Sequence, residues 1–214
     1  MDIEIKQLKD TNYTYDQLVD LMHDSFQERK DQGLLFTSCT MDVETFKKKY
    51  SDGIIIVGYN KDCGELLAFY TFHLYSKRRK KQCKYGYLEQ LAVSPKAKRT
   101  GIGTKMLDAN IAIAQKMGAS YMLSDTACKA ESSVRWHYKN KFLLYEYESY
   151  RSTDYWSKVF KLYLPKGSNT LFRRIVCRIH FWNTWLFIKL TRNIHGNDTA
   201  LGRVYKRLLS KEIV

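Results

Sequence analysis

The 214-residue sequence contains no run of about twenty uncharged apolar residues, which argues against a bilayer-spanning helix. Its five cysteines, Cys39, Cys63, Cys83, Cys128 and Cys177, are odd in number and form no CxxC pair, so neither a disulfide framework nor a paired zinc site is expected. No apolar leader follows Met1, because Asp2, Glu4 and Lys6 interrupt it; with free thiols, this points to a reducing cytoplasm. The chain also lacks an internal repeat, the third glycine of a dinucleotide fingerprint, the GK[ST] ending of a P-loop and any recognised nucleic-acid-binding motif. Acidic residues thin out toward the end. Residues 166–214 hold 2 against 10 basic ones, whereas residues 1–165 hold 20 against 26, so more than half of the net charge of +14 lies in the last quarter.

What is present reads as a folded protein, with 44% hydrophobic and 27% charged residues and a length that allows one domain plus an extension. Ile3 to Leu8 alternates apolar and polar side chains and predicts a strand. Thr14 precedes Leu18, Leu21, Met22 and Phe26 at helical spacing, and Asp42 precedes Val43 and Phe46 in a shorter helix. Ile54–Tyr59 and Leu66–Phe72 predict a hairpin, Lys77–Lys81 a basic connection and Tyr85–Val93 a further strand. Ile102, Met106, Ala109, Ile113 and Met117 form one stripe of a helix that stops near Gly118. A strand at Tyr121–Ser124, a helix from Ser132 to Lys141, and strands at Leu143–Tyr150 and Val159–Leu164 complete a single α+β sheet domain.

The segment from Leu91 to Thr104 carries the chemistry. A strand ends at Val93-Ser94-Pro95, a tight loop supplies Lys98 and Arg99, and a helix opens at Gly101-Ile102-Gly103. Unpaired N–H groups and the aligned dipoles of a helix N-terminus favour an anion, and glycine lets phosphate approach the backbone. On the two glycines alone, a helix start packed closely on the sheet is the preferred reading.

Val93-Ser94-Pro95 followed by Lys98-Arg99-Thr100-Gly101-Ile102-Gly103 resembles the Val-x-Pro and Gln/Arg-x-x-Gly-x-Gly/Ala signature of the GNAT superfamily of acetyltransferases, with Lys98 in place of Gln or Arg. Glu131 to Phe142 resembles the family's downstream Asn-x-x-Ala-x-x-x-Tyr-x-x-x-Gly-Phe, with Lys141 where the glycine stands. The resemblance covers roughly residues 1–164, leaving 165–214 as a basic, helical C-terminal extension. It implies one mixed central β-sheet flanked by helices, acetyl-CoA as co-substrate, and direct transfer of acetyl to an amine, on a small molecule or amino sugar rather than a protein. It further implies that Leu91, Ala92, Val93, Lys98, Arg99, Thr100, Gly101, Ile102, Gly103 and Thr104 hold the cofactor, largely through backbone N–H groups. Aligned on Tyr138, the second motif makes that phenol the general acid; anchored on Phe142, it puts His137 in the tyrosine's place, although His137 otherwise reads as a surface residue. Glu89, which the two-residue period sets on a strand face with Leu91 and Val93, takes the role of general base or of an ion-paired rim residue.

No metal is expected: Cys177 and His180 have CxxH spacing but no second pair, and Cys128 has no activating partner in the sequence. In the extension, Leu171 to Leu190 mixes large apolar groups with cations, and its longest uncharged window, Ile179–Ile188, is too short to span a membrane. Packing against the domain or a second subunit is its preferred use, lying in an anionic membrane interface the next, and covering the acceptor site the third. A contrasting reading is a non-catalytic module of the same fold that binds nucleic acid or membrane through this tail; the absence of a nucleic-acid motif weighs against the nucleic-acid form.

Overall fold

The computed structural model describes residues 2–33, 36–77, 80–148 and 156–191. Seven strands form one mixed sheet in the order β1-β2-β3-β4-β5-β7-β6. They are β1 Ile3–Gln7, β2 Ile54–Asn60, β3 Leu66–Lys77, β4 Lys80–Val93, β5 Ala119–Ala127, β6 Leu143–Glu148 and β7 Ser157–Tyr163. Only β4 and β5 run parallel, joined by helix α3, Ile102–Lys116. Strand β4 begins five residues before the expected Tyr85, so Lys80 and Lys81 belong to a strand rather than to the basic connection; Arg78 and Arg79 lie outside the described residues.

Helix α1, Tyr15–Asp31, starts where the sequence places a cap: the Gln17 N–H donates to Thr14 Oγ1 at 3.3 Å and the Thr14 N–H donates to Gln17 Oε1 at 2.9 Å. Helix α2, Val43–Tyr50, is capped by Asp42, which accepts from the Thr45 N–H at 2.7 Å. Both cover one sheet face, where Leu18, Met22, Phe46 and Tyr50 pack on Ile55, Val57, Phe69 and Ala92. Helix α3 covers the other face, packing Ile102, Met106 and Ile111 on Ile56, Tyr70, Phe72, Leu88 and Met122. Its fit is close at Gly58, where a Cβ would stand 2.9 Å from Met106 Sδ. Helix α4, Glu131–Lys139, lies on the α3 side near the open end of the sheet, and α5, Leu171–Thr191, lies against β6.

Two irregularities in β4 position the site. Opposite β3, the register passes from Tyr70↔Leu91 to Phe72↔Leu88, so Glu89 and Gln90 together oppose Thr71 in a β-bulge, where the Gln90 N–H donates to Thr71 Oγ1 at 3.1 Å. Opposite β5, pairing ends at Leu88↔Ser124 although β4 continues to Val93 and β5 to Ala127. Beyond that point β4 stays with β3 and β5 stays with β7, and the sheet parts.

Candidate active site

A cavity of about 920 Å³ occupies the gap between the parted strands. Residues of both sheet faces line it. On the α3 side these include Leu91, Val93, Lys98, Arg99, Gly101, Ile102, Gly103, Thr104, Ser124, Trp136 and His137; on the α1–α2 side they include Lys49, Tyr75, Tyr85, Tyr87, Glu89 and Asp125. Because β4 past Leu88 has no strand partner toward β5, alternate backbone N–H and C=O groups of its last residues face the gap.

The α3 side is built for an anion. Gly101 caps the helix with φ 86°, a left-handed conformation that an L side chain adopts only under strain, and Arg99 before it holds φ 67°. The first amides of α3 thereby open on the cavity without a side chain over Gly103. Lys98 is already engaged: its Nζ lies 2.6 Å from Glu28 Oε2 at the end of α1, and this cation holds the Glu28 carboxyl below its ordinary range. Arg29 donates to the Ser132 hydroxyl at the start of α4, so α1 reaches across the mouth. Two residues of the expected cofactor set stay off the lining. Ala92 is buried in the α1–α2 core, and the Thr100 hydroxyl donates to the Ala97 carbonyl at 2.7 Å.

The bulge corrects the expectation for Glu89. It does not share a face with Leu91 and Val93, which pack in the α3 core, but points to the opposite side, where Oε1 lies 2.8 Å from His73 Nδ1 and Oε2 lies 3.0 Å from Lys49 Nζ. Across the gap, on the matching face of β5, stands Asp125, which the sequence reading passed over because its strand stopped at Ser124. Burial raises the Asp125 carboxyl above its ordinary range; hydrogen bonds from Tyr87, at 3.0 Å, and Ser157 pull the other way, and the charge of Glu89 adds to the rise. One carboxylate thus sits on each lip of the gap.

The second motif resolves its own register. Lys141 ends the turn after α4 at φ 69°, the conformation a glycine serves there, and Phe142 is buried in the α3 core. Anchored on Phe142, the motif places His137 where the tyrosine stands. His137 is buried, not on the surface, and it lines the cavity. Its Nδ1 lies 2.8 Å from the Ser133 carbonyl, which can only accept, so Nδ1 carries the proton and Nε2 accepts from the Ser124 hydroxyl at 3.0 Å. Ser124 is in turn bonded to Tyr70. The structure does not bring Tyr138 into the cavity; it is 48% exposed, with its ring edge-on to Phe160, and burial raises its phenol.

Burial pushes His137 down to about 4 from 6.5, so the ring is neutral at pH 7. The unfolded chain takes up this proton more readily, and the neutral ring's contribution is therefore complete above pH 6.5 and lost as the pH falls toward 4. Between those limits, unfolding free energy should drop by on the order of 3 kcal/mol, and His137→Phe should flatten that part of the curve in urea titrations across pH.

Elsewhere, Cys177 and His180 do not converge: Cys177 Sγ lies 3.8 Å from the Tyr163 hydroxyl, and His180 Nε2 lies 2.9 Å from Glu146 Oε2 with its ring stacked on Tyr145. Among the described residues, no three His, Cys, Asp or Glu side chains are grouped to hold a metal. The Cys128 thiol is raised by burial, which disfavours the thiolate.

The sheet parts over a glycine-opened helix on one face and carries two carboxyl side chains on the other, so the cleft is lined from both faces. The chain belongs to the acetyltransferase (GNAT) family, whose sequence model matches residues 15–142. Similar folds are found in the NatC complex bound to Gag peptide and CoA (TM-score 0.60, 14% identity, covering 77% of this chain and 99% of that one). They are found as well in NAA60 of Arabidopsis thaliana in complex with a bisubstrate analogue (0.57, 12% identity, 76% and 99%). A third is yncA of Salmonella typhimurium with its cofactor acetyl-CoA (0.55, 14% identity, 78% and 96%). No curated protein matches the sequence itself.

Proposed function

We propose that this acetyltransferase takes acetyl-CoA as donor and moves the acetyl group directly to the amine of a small molecule. The observation that carries the reading is the parting of β4 from β5, which leaves an anion-holding helix start on one face and two carboxylates on the other. The pyrophosphate of acetyl-CoA lies on the amides from Gly101 to Thr104, and the pantetheine arm follows the unpaired edge of β4 to the gap. The amine enters from the α1–α2 side, where Glu89, Asp125 and the rings of Tyr75, Tyr85 and Tyr87 attract a cation. Glu89 removes the proton, directly or through one water. The nitrogen lone pair then attacks the thioester carbonyl, a backbone N–H of the β4 edge steadies the oxyanion, and the C–S bond breaks as the second proton on nitrogen passes to the departing sulfur, directly or through water, giving the amide and CoA thiol. A thiol with a pKa near 8.5 leaves without a dedicated acid, consistent with Tyr138 lying off the lining. In this scheme residues 1–164 are the transferase domain and 165–214 an extension.

Thiol release from acetyl-CoA tests the scheme, measured against polyamines, amino sugars, amino acids and short peptides with a free α-amine. Turnover is expected with at least one small amine. If acetyl-CoA binds but no amine accelerates thiol release, the enzymatic reading fails; if only peptides do, the acceptor assignment does.

A further inference from the structure

Helix α5 presents an apolar stripe to solvent. Of the ten large hydrophobic side chains that the described residues leave exposed, seven belong to this helix: Leu171, Phe172, Ile175, Val176, Ile179, Trp182 and Leu186. Phe172 is 74% exposed, Ile179 56% and Trp182 51%. Their spacing of three and four keeps Phe172, Ile175, Ile179, Trp182 and Leu186 within one narrow sector at about 100° per residue. The opposite side of α5 is already used. There Cys177 is buried beside Tyr163, His180 stacks on Tyr145, Phe181 packs on Tyr147, and Arg173 lies over the Tyr163 ring. The exposed stripe is therefore a second apolar surface, distinct from the face that packs on β6.

Charge selects the occupant. By the same angular count, Arg174 and Arg178, both exposed, border one flank of the stripe, and α5 contains four cations and no acid. A second copy of α5 laid on this surface would bring arginines toward arginines. The chain's own residues 192–214 add five Lys or Arg against two acids, so that segment is also of the wrong sign. A surface that is apolar below and negatively charged above satisfies both features, since apolar and aromatic side chains insert at the acyl boundary while arginines meet the headgroups. No helix among the described residues is long and apolar enough to cross a membrane, so contact of this kind is peripheral. We infer that α5 docks the protein on an anionic lipid surface through the Phe172–Ile179–Trp182–Leu186 stripe and the Arg174–Arg178 flank.

Co-sedimentation of the full chain with vesicles tests this, using phosphatidylcholine alone against phosphatidylcholine with about 30% phosphatidylserine. The wild type is expected to pellet with the anionic vesicles only. Ile179→Glu/Trp182→Glu should abolish pelleting, and Arg174→Glu/Arg178→Glu should weaken it by about tenfold or more. All four positions are exposed, and an unchanged thermal melt shows that each variant is folded. The inference is overturned if the wild type stays in the supernatant, or if the Ile179/Trp182 variant still pellets. It is equally overturned if sedimentation velocity without lipid finds a dimer that this variant dissolves, because the stripe would then belong to a second copy.

Discussion

Gly103→Glu should abolish measurable binding of acetyl-CoA while leaving the melting temperature where it is or slightly higher. Position 103 is the second residue of α3, where a carboxylate interacts favourably with the helix dipole and where replacing glycine removes an entropic cost of up to about 1 kcal/mol. A Cβ there meets Trp136 Nε1 at 3.5 Å and Leu91 Cδ2 at 3.6 Å, ordinary contacts that demand no rearrangement. The same carboxylate would stand among the amides that hold the pyrophosphate. Two unit charges about 4 Å apart repel by about 4 kcal/mol at an effective dielectric near 20, so a loss of at least about a hundredfold in affinity survives partial screening. Gly103→Gln separates charge from size: if it binds as poorly as the glutamate variant, close approach to the backbone matters more than electrostatics. Calorimetric titration of wild type and both variants reads this directly. Equal affinity in all three would remove the donor from the start of α3.

Glu89→Gln is expected to lower kcat by roughly a hundredfold with little change in the KM for acetyl-CoA. The substitution keeps the shape of the side chain and one hydrogen-bonding oxygen for Lys49 or His73, so the loss reports on proton removal rather than on collapse. Asp125→Asn should cost less, because that carboxyl already accepts from Tyr87 and Ser157. The reverse order would transfer the role of base to Asp125. Tyr138→Phe serves as the control for the leaving group; a loss as large as that of Glu89→Gln would mean that the phenol reaches the sulfur after all.

The parts of the fold that repeat a period or a cap could be read from the sequence. The helix that opens at Ile102, the Thr14 and Asp42 starts, and the loop-to-helix junction at Gly101 announce themselves through side-chain spacing and glycine placement, although the buried face of that helix runs from Ile102 and Met106 through Leu107, Ile111 and Ala114 and leaves Met117 exposed. The parts that break a period could not. A two-residue alternation carried through Glu89 and Gln90 gives the wrong face for Glu89, because the bulge opposite Thr71 inserts a residue without any glycine or proline to mark it. Lys141 masked the register of the second motif for a related reason: it adopts a glycine-like φ with a lysine side chain, and with Phe142 buried after it, His137 rather than Tyr138 lines the cavity. Asp125 offered no pattern at all, since its significance comes from Tyr87 on the neighbouring strand and from burial. The two uses of α5, one side packed and one side open, are likewise unmarked in a helix whose large apolar groups lie on both sides among its cations.

The gap in the sheet has a bearing on the order of events. An opening that passes from one face to the other lets donor and acceptor arrive by separate routes, and neither blocks the other's way in or out. Under the direct transfer proposed above, both are aboard together and the acetyl group does not wait on a side chain for its partner. The kinetic counterpart is a ternary complex: double-reciprocal plots of initial rate at several fixed acceptor concentrations converge instead of running parallel, and either product can leave first.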